Sequence, residues 1–433
     1  STPLTAKLLG EPLDVSFSSA QENDNYQVNV ELAGRWSSDK VMTQLMPAYQ
    51  QYVSGEVNWK GTLNMLFAEQ GFNYEFDVET DLSQFQLDLP MPLAKSATQD
   101  WPTDISVVGN DKQAHVQLNS SDILYFSGQV NYADDKLTLI QSLIQIGNAD
   151  KLLISDNANA IVVNVDKLDI AAWQSWYLGL PDSEFDINRA VEPLSSVKIA
   201  VKNTSYHQQP LTSLAITATK GYRNWGVDLN SDEFNGVLVI PDVGNVNIDF
   251  DYLYLPDLVF SADSTEQVTT ETEQSIPLVW QDLPGFNFNC GACILGQINF
   301  GRTTAEVTKN ASGLSLKALD VDMEHSTVVM TGRWFTDSQG KQATQLQGEL
   351  KTKSIEEFMT GLGLISPLAK TPADINFGLA WQDQPLNIDV ESLNGNVAIK
   401  TQAGRISNVS DKGTRFLGML SLQSLVKRIS LDF

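Results

Sequence analysis

Apolar and polar residues alternate with a period of two through most of this chain. Phe72, Tyr74, Phe76 and Val78 are separated by single polar residues. The same alternation returns at Phe85–Leu89, Val197–Val201, Leu214–Ala218, Trp225–Leu229, Leu319–Met323 and Val328–Trp334. Such alternation is typical of strands with one buried face, and short Gly, Asn, Asp and Ser clusters between them indicate turns. The pattern therefore predicts a mainly β protein made of antiparallel strands.

A few short amphipathic helices interrupt the strands. We predict helices near 38–54, 170–179, 354–366 and 414–428. Pro47 should kink the first helix, and Gly55 should end it. Asp169 can cap the second helix, whose Trp173, Trp176 and Tyr177 could cover an edge of the sheet. Ser354 and Glu357 have the spacing of a capping box, in which each side chain bonds the other residue's amide.

One tripeptide occurs twice in a similar context. Gly34-Arg35-Trp36 and Gly332-Arg333-Trp334 each end a strand. Each precedes a helix, in the second case after one extra strand, and each helix is followed by a strand with a central tryptophan. The shared context favours a repeated unit over coincidence. We divide the chain into β modules at 1–100 and 101–260, an acidic linker at 261–275 and a C-terminal β module at 276–433.

Composition narrows the classes of partner. The 433 residues include 53 acidic and 28 basic side chains, which gives a formal net charge of −25. This charge repels nucleic acid and anionic membrane surfaces, so neither is expected to bind electrostatically. No apolar run is long enough to cross a bilayer. The chain begins at Ser1 without a signal peptide and ends on a strand-like run, so we expect an excised fragment.

The only two cysteines of the chain form a Cys290-Gly-Ala-Cys293 motif. In a regular strand they would face opposite sides, too far apart for a disulfide, whereas a turn at Gly291 and Ala292 would bring them together. A structural disulfide is the first interpretation and free buried thiols the second. A redox or metal site is the third, because no thioredoxin-like βαβ pattern is visible and the three histidines stand alone.

An enzymatic function has little support. The chain lacks a Gly-rich phosphate loop, a Gly-x-Ser-x-Gly elbow and histidines at metal-ligand spacing. Acidic pairs such as Asp249 and Asp251 alternate along strands, as on a solvated face, and no loop has calcium-ligand spacing. We therefore expect no catalytic residues, no metal and no cofactor.

Two stretches carry a family resemblance. They are the segment from Phe288 to Trp334, with "ILGQINFG" and "GLSLKALDVDMEHSTVVMTGRW", and the closing stretch "AGRISNVSDKGTRFLGMLSLQSLVKRISLDF". Both resemble the C-terminal part of the YhdP-like branch of the AsmA-like proteins of Gram-negative envelopes. The resemblance is good over 276–433 and rests on architecture alone over 1–260.

The resemblance implies an elongated, twisted β-sheet curled into a U-shaped apolar groove. It also implies a periplasmic, monomeric segment of an inner-membrane-anchored protein that carries phospholipids towards the outer membrane. Acyl chains would contact the inward side chains of this groove. The groove candidates are Trp36, Phe76, Phe85, Val227, Met330, Trp334 and Trp381.

The same aromatic residues would also suit the closed core of an ordinary β-sandwich, which periodicity alone does not distinguish from a groove. The alternative function is therefore a non-catalytic β-repeat scaffold or adhesin-like protein that binds an envelope partner, for example by sheet-edge addition.

Overall fold

A computed structural model of the chain describes residues 4–22, 25–69, 71–133, 136–147, 158–180, 193–206, 209–257, 280–296, 298–361, 368–385, 387–389, 391–402 and 405–406. Strands dominate the described residues, which confirms the predicted mainly β fold class. The strands are β1 Leu4–Leu8, β2 Glu11–Glu22, β3 Asn25–Ser37, β4 Val53–Ala68, β5 Gly71–Thr80, β6 Gln84–Leu87, β7 Thr103–Asn110, β8 Gln113–Ser120, β9 Leu124–Ala133, β10 Lys136–Gly147, β11 Asn159–Lys167, β12 Ser196–Tyr206, β13 Gln209–Lys220, β14 Asn224–Asn230, β15 Phe234–Pro241, β16 Val246–Leu255, β17 Phe286–Leu295, β18 Ile298–Asn310, β19 Gly313–Asp322, β20 Ser326–Thr336, β21 Gln342–Thr352, β22 Leu368–Ala369, β23 Ala373–Gln382, β24 Asn394–Thr401 and β25 Arg405–Ile406.

The chain divides into two compact units, and the division falls within β12 and β13. The first unit takes its described residues from Ser1–Thr204 and Ala215–Lys220, and the second from Ser205–Leu214 and Gly221–Phe433. The module boundaries expected near residues 100 and 260 stay predictions.

In the first unit, strands that follow each other in the chain are mostly neighbours in the sheet. The antiparallel ladder runs from β1 through β2, β3, β4 and β5 to β7, and on through β8 and β9 to β10. β11 and β12 then add in parallel. β6 pairs with the first residues of β4, and its last residue, Leu87, also forms an antiparallel bridge with Lys95. A ladder with so many local pairings follows directly from the closely spaced turns of the sequence.

The second unit repeats this arrangement. β14, β15 and β16 are antiparallel neighbours, and β17 pairs with β16 in parallel. The ladder is again antiparallel from β17 through β18, β19, β20 and β21 to β23 and β24. In both units, therefore, most strands lie side by side in register, so that paired residues of neighbouring strands form lines of side chains that cross the sheet.

The first predicted helix is shorter than expected. α1 covers Ser38–Leu45, a 3₁₀ turn covers Pro47–Tyr52, and β4 already begins at Val53. The prediction of one kinked helix near 38–54 that ends at Gly55 was wrong, because Pro47 cannot continue an α-helix through its own position. α2 covers Ile170–Leu178, and the carboxylate of Asp169 accepts the Ala172 amide proton, as expected for its cap.

α3 covers Ile355–Gly361. Half of its predicted capping box is present, since the Glu357 amide donates to Ser354 Oγ at 3.3 Å. The predicted bond between the Ser354 amide and the Glu357 carboxylate was wrong. The Ser354 amide instead donates to Thr352 Oγ1 at 3.1 Å, and the Glu357 carboxylate lies 3.5 Å from the His325 ring. The rest of the predicted helix near 354–366, the helix near 414–428 and the linker at 261–275 lie outside the described residues. Within the described part of the chain, no helix has the length and apolar character needed to span a membrane.

Candidate functional site

One face of the first unit is apolar across eleven consecutive strands. Residues paired directly across a ladder point to the same face, so the pairings define lines of side chains across the sheet. We call the central line the first apolar row. It consists of Leu4, Val15, Leu32, Gly61, Val78, Ile105, Leu118, Phe126, Ile144, Ile161 and Val197. Phe76 lies in the adjacent line on the same face, between Leu63 and Val107.

The second unit has an equivalent line across ten strands, which we call the second apolar row. It consists of Val227, Leu238, Ile248, Phe288, Ala305, Leu319, Met330, Gly348, Phe377 and Val397. Two of the groove candidates, Val227 and Met330, therefore share one line although they are about a hundred residues apart in sequence. At about 4.8 Å per strand, the two rows are on the order of 48 and 43 Å long.

The opposite face of each sheet is mainly polar, although it also carries some apolar side chains such as Val108 and Val237. In the first unit it presents charged side chains such as Glu31, Lys60, Glu75, Asp77, Glu79 and Asp104. In the second unit, Val329 is flanked on this face by Asp320 and Glu349. The two-residue alternation of the sequence therefore separates apolar from solvated side chains, as predicted.

The apolar rows are not buried as a closed core would be. Most of their side chains are only half-buried, and Val397 at the β24 end is 47% exposed. Phe76, Val227 and Met330 are all half-buried. Apolar side chains in this state form a surface that a further apolar group can still contact.

In the first unit, helices cover the strand ends that carry Trp36. We call this side the closed edge. Trp36 packs edge-on against Trp59, with ring centroids 4.9 Å apart, and donates to the Pro12 carbonyl. Gly34 lies beneath both rings, since a Cβ there would stand 2.8 Å from each indole nitrogen. The first groove candidate is thus part of a packed tryptophan pair at the side of the apolar face.

α1 and α2 both contribute to the closed edge. α1 is held to the start of β2 by an ion pair between Lys40 and the buried Glu11, 2.7 Å long. Trp173 of α2 donates to the Met91 carbonyl at 2.9 Å, and Trp176 packs 5.8 Å from the Tyr52 ring. The structure thus places Trp176 of α2 on the 3₁₀ turn and Trp173 on the loop after β6.

The opposite strand ends of the first unit carry aromatic residues on the apolar face. We call this side the open edge, and it comprises Tyr26, Phe67, Phe72, Tyr74 and Tyr132. Tyr26, Phe67 and Tyr132 are 47%, 37% and 39% exposed. The hydroxyls of Tyr74 and Tyr132 lie 3.0 Å apart and share a hydrogen bond. Sequence reasoning missed these tyrosines as a group, because only the ladder register brings β3, β5 and β9 together.

Trp334 and Trp381 lie deeper than the other groove candidates. They are 6% and 3% exposed, and both pair with the fully buried Thr344 between them. Trp334 packs with Trp280, Val307 and Leu314 in a core cluster. At this end of the second unit the apolar face is covered by the 3₁₀ turn at Trp280–Asp282. At the other end, Phe358 of α3 packs on Ile298 beside Phe300.

Phe85 occupies a separate position. It lies in the short strand β6, opposite Gly55 at the start of β4, and it is half-buried. It therefore belongs to neither apolar row, and as a lipid contact it stays a prediction.

Cys290 and Cys293 are bonded to each other and almost completely buried. Both remain within β17, with Cα atoms 6.0 Å apart, because the pairing to β18 shifts register between them. The sequence had offered only a regular strand or a turn. A bulge is the third possibility, and it brings both sulfurs to the same side without ending the strand.

A depression of about 530 Å³ lies among β19, β20, β21, β23 and β24. Its side chains include Lys317, Thr331, Arg333, Gln345 and Gln347, which alternate with members of the apolar face. It is therefore a polar feature of the solvated face and does not suit acyl chains. Across the described ranges, no group of three His, Cys, Asp or Glu side chains could hold a metal ion.

Comparison with known proteins decides the family. The family model described as YhdP protein matches residues 1–433. The chain belongs to the YhdP family. The YhdP match confirms the resemblance seen in the C-terminal segment and extends it over residues 1–260, where only the architecture had suggested it.

One relative carries a functional name. The chain is 25% identical over 444 residues to the intermembrane phospholipid transporter YhdP of Escherichia coli (strain K12). This match covers 100% of the chain and 34% of the relative, so the chain spans about a third of that YhdP protein's length. No solved structure matches the chain.

Proposed function

We propose that this chain is a periplasmic segment of an inner-membrane-anchored lipid-transfer protein, and that it carries phospholipids along its apolar faces towards the outer membrane. The name of the Escherichia coli relative supports a phospholipid as the cargo. In this role the protein is not an enzyme, acts as a monomer and uses no cofactor.

The observation that carries the proposal is the uninterrupted apolar character of the two rows. Each acyl methylene exposed to water costs about 0.8 kcal/mol, so lipid tails need continuous apolar contact while they move. A single charged or strongly polar side chain in a row would interrupt that contact. Neither row contains one over eleven and ten strands.

The partial exposure of the rows favours a lipid over a closed core. A sandwich core would have a second sheet packed over these side chains, leaving few of them accessible. Most row residues instead remain half-buried. Charged headgroups would stay in water beside the sheet, which avoids the cost of burying them.

The test is mass spectrometry of an organic extract from the purified chain, with a mock purification from cells lacking it as the control. We expect about one or more phospholipid molecules per chain and none in the control. A stably folded chain that carries no lipid, and acquires none from vesicles, would overturn the proposal. It would leave a protein-binding scaffold as the better function.

A further inference from the structure

The two edges of the apolar face in the first unit differ in chemistry. The closed edge ends in indole rings and is covered by α1 and α2. The open edge ends in aromatic rings, of which those of Tyr26 and Tyr132 are exposed and that of Tyr74 is half-buried. Tyrosine is favoured where one end of a side chain contacts hydrocarbon and the other contacts water, as at membrane interfaces.

We propose that phospholipids lie along the strands of the first unit with their headgroups at the open edge, where the hydroxyls of Tyr26, Tyr74 and Tyr132 contact the phosphate. The inference rests on the proposed function, because it assigns an orientation to the lipid that the apolar face would carry. The acyl chains point towards Trp36 and Trp59 at the closed edge.

The distance between the edges fits this orientation. Trp59 and Phe67 lie on the same strand, β4, and mark the two sides of the apolar face. Eight residues of strand extend over about 27 Å. One leaflet of a bilayer has a hydrocarbon depth of about 15 Å, half of the usual core thickness. Acyl chains laid along β4 therefore have room between the edges.

The hydroxyl pair is suited to bind an anionic oxygen. The hydrogen bond between the Tyr74 and Tyr132 hydroxyls uses one of their two protons. The other proton remains available to a phosphate oxygen. Burial, followed by the hydrogen bond and the charge of Tyr132, raises the pKa of Tyr74 to about 12. The hydroxyl therefore stays protonated and can donate at every physiological pH.

Gly109 gives Tyr74 the space to reach its partner. A Cβ at Gly109 would lie 2.7 Å from the Tyr74 hydroxyl oxygen. The side chain of Tyr74 thus extends across β7 towards β9. The register of the four strands β5, β7, β8 and β9 places the pair at the open edge.

The orientation can be tested with site-specific fluorophores. The two native cysteines are bonded to each other, so one introduced thiol can be labelled selectively. Ala68→Cys reports the open edge and Met46→Cys the closed edge, and both positions are exposed. Each labelled protein is loaded with phosphatidylcholine carrying a nitroxide quencher either on the choline or near the end of one acyl chain.

We expect the headgroup nitroxide to quench the label at residue 68 at least about threefold more than the label at residue 46, and the acyl nitroxide to show the reverse preference. Equal or opposite preferences with bound lipid would overturn the orientation and leave the proposed function intact. Lipid bound to each sample is counted by mass spectrometry. Absence of bound lipid would overturn the proposed function as well.

The role of the hydroxyls needs a second measurement. The double variant Tyr74→Phe, Tyr132→Phe keeps both rings, and Tyr222→Phe, at a fully exposed site, is the control. We expect the double variant to bind phosphatidylcholine about 3- to 10-fold more weakly, as for the loss of a hydrogen bond or two, with diacylglycerol binding unchanged. An equal loss for both lipids would indicate a merely structural role and overturn the headgroup contact.

Discussion

Met330→Glu is the most direct perturbation of the second apolar row. Met330 lies between Leu319 and Gly348 on the apolar face. Its neighbour Val329 points to the opposite face and is 48% exposed. Val329→Glu therefore introduces the same charge one residue away but outside the row. The two variants separate an effect on lipid passage from a general effect of added charge.

The free-energy cost of Met330→Glu to a passing lipid follows from the length of acyl chain that one side chain contacts. Side chains on one face are two residues apart along a strand, or about 6.8 Å, which roughly five methylenes of an extended acyl chain occupy. If these methylenes lose apolar contact beside a hydrated carboxylate, the cost is about 4 kcal/mol per passing chain. This free energy corresponds to passage slowed on the order of 1,000-fold. Because Met330 is only half-buried, its glutamate can reach water, and the sheet should remain folded.

The assay is transfer of a fluorescent phospholipid between donor and acceptor vesicles, with circular dichroism and thermal unfolding on the same samples. We expect Met330→Glu to abolish transfer above the spontaneous rate while Val329→Glu transfers normally. Equal transfer by both variants would refute the assignment of the row as the lipid path. If Met330→Glu lost its folded structure while Val329→Glu stayed folded, this face would be a packed core.

Three further predictions concern stability. Replacing Cys290 and Cys293 by Ala should lower the free energy of unfolding by about 2 kcal/mol, as expected for a short closed loop. An unchanged free energy of unfolding in urea would contradict this prediction. Gly34→Ala should lower the free energy of unfolding by about 1 to 3 kcal/mol, because its Cβ would lie 2.8 Å from two indole nitrogens. Gly226→Ala, which has open space around it, should have nearly no effect. Equal effects of the two variants in thermal unfolding would contradict the packing argument. Burial raises the pKa of Glu233, but hydrogen bonds from Thr212 and Ser231 outweigh it and hold the pKa below its usual range. The carboxylate therefore adds stability above about pH 4.5 that is lost as pH falls through the folded pKa. In urea unfolding measured at several pH values, Glu233→Gln should reduce this loss of stability at acid pH. The same pH dependence in the variant and the original protein would contradict the prediction.

The faces of the sheets could be predicted from sequence because they depend on local alternation. Phe76, Val227 and Met330 belong to period-two runs of the sequence, and all three point to an apolar face. Asp169 as a cap also follows from local chemistry. These features need only a few neighbouring residues.

What could not be predicted depends on residues far apart in the chain. The burial of Trp334 requires Trp280, which follows a long segment that lies outside the described residues. The open edge requires the register of several strands, which the turns determine together. The disulfide requires a bulge in β17, and a bulge has no sequence pattern comparable to alternation.

Glycines in the apolar faces indicate how a one-layer sheet can be well packed and still open. A Cβ at Gly128 would stand 2.7 Å from the Phe126 ring, and one at Gly348 would stand 2.8 Å from the Phe377 ring. Aromatic rings thus lie over neighbouring glycines within the same sheet, as in other sheets where rings shield a glycine backbone. In a closed sandwich, side chains of a second layer would fill these gaps instead. Because rings of the same sheet cover the space above these glycines, the apolar face has no deep gaps that a second layer must fill. An acyl chain that moves along the face needs such a continuous surface.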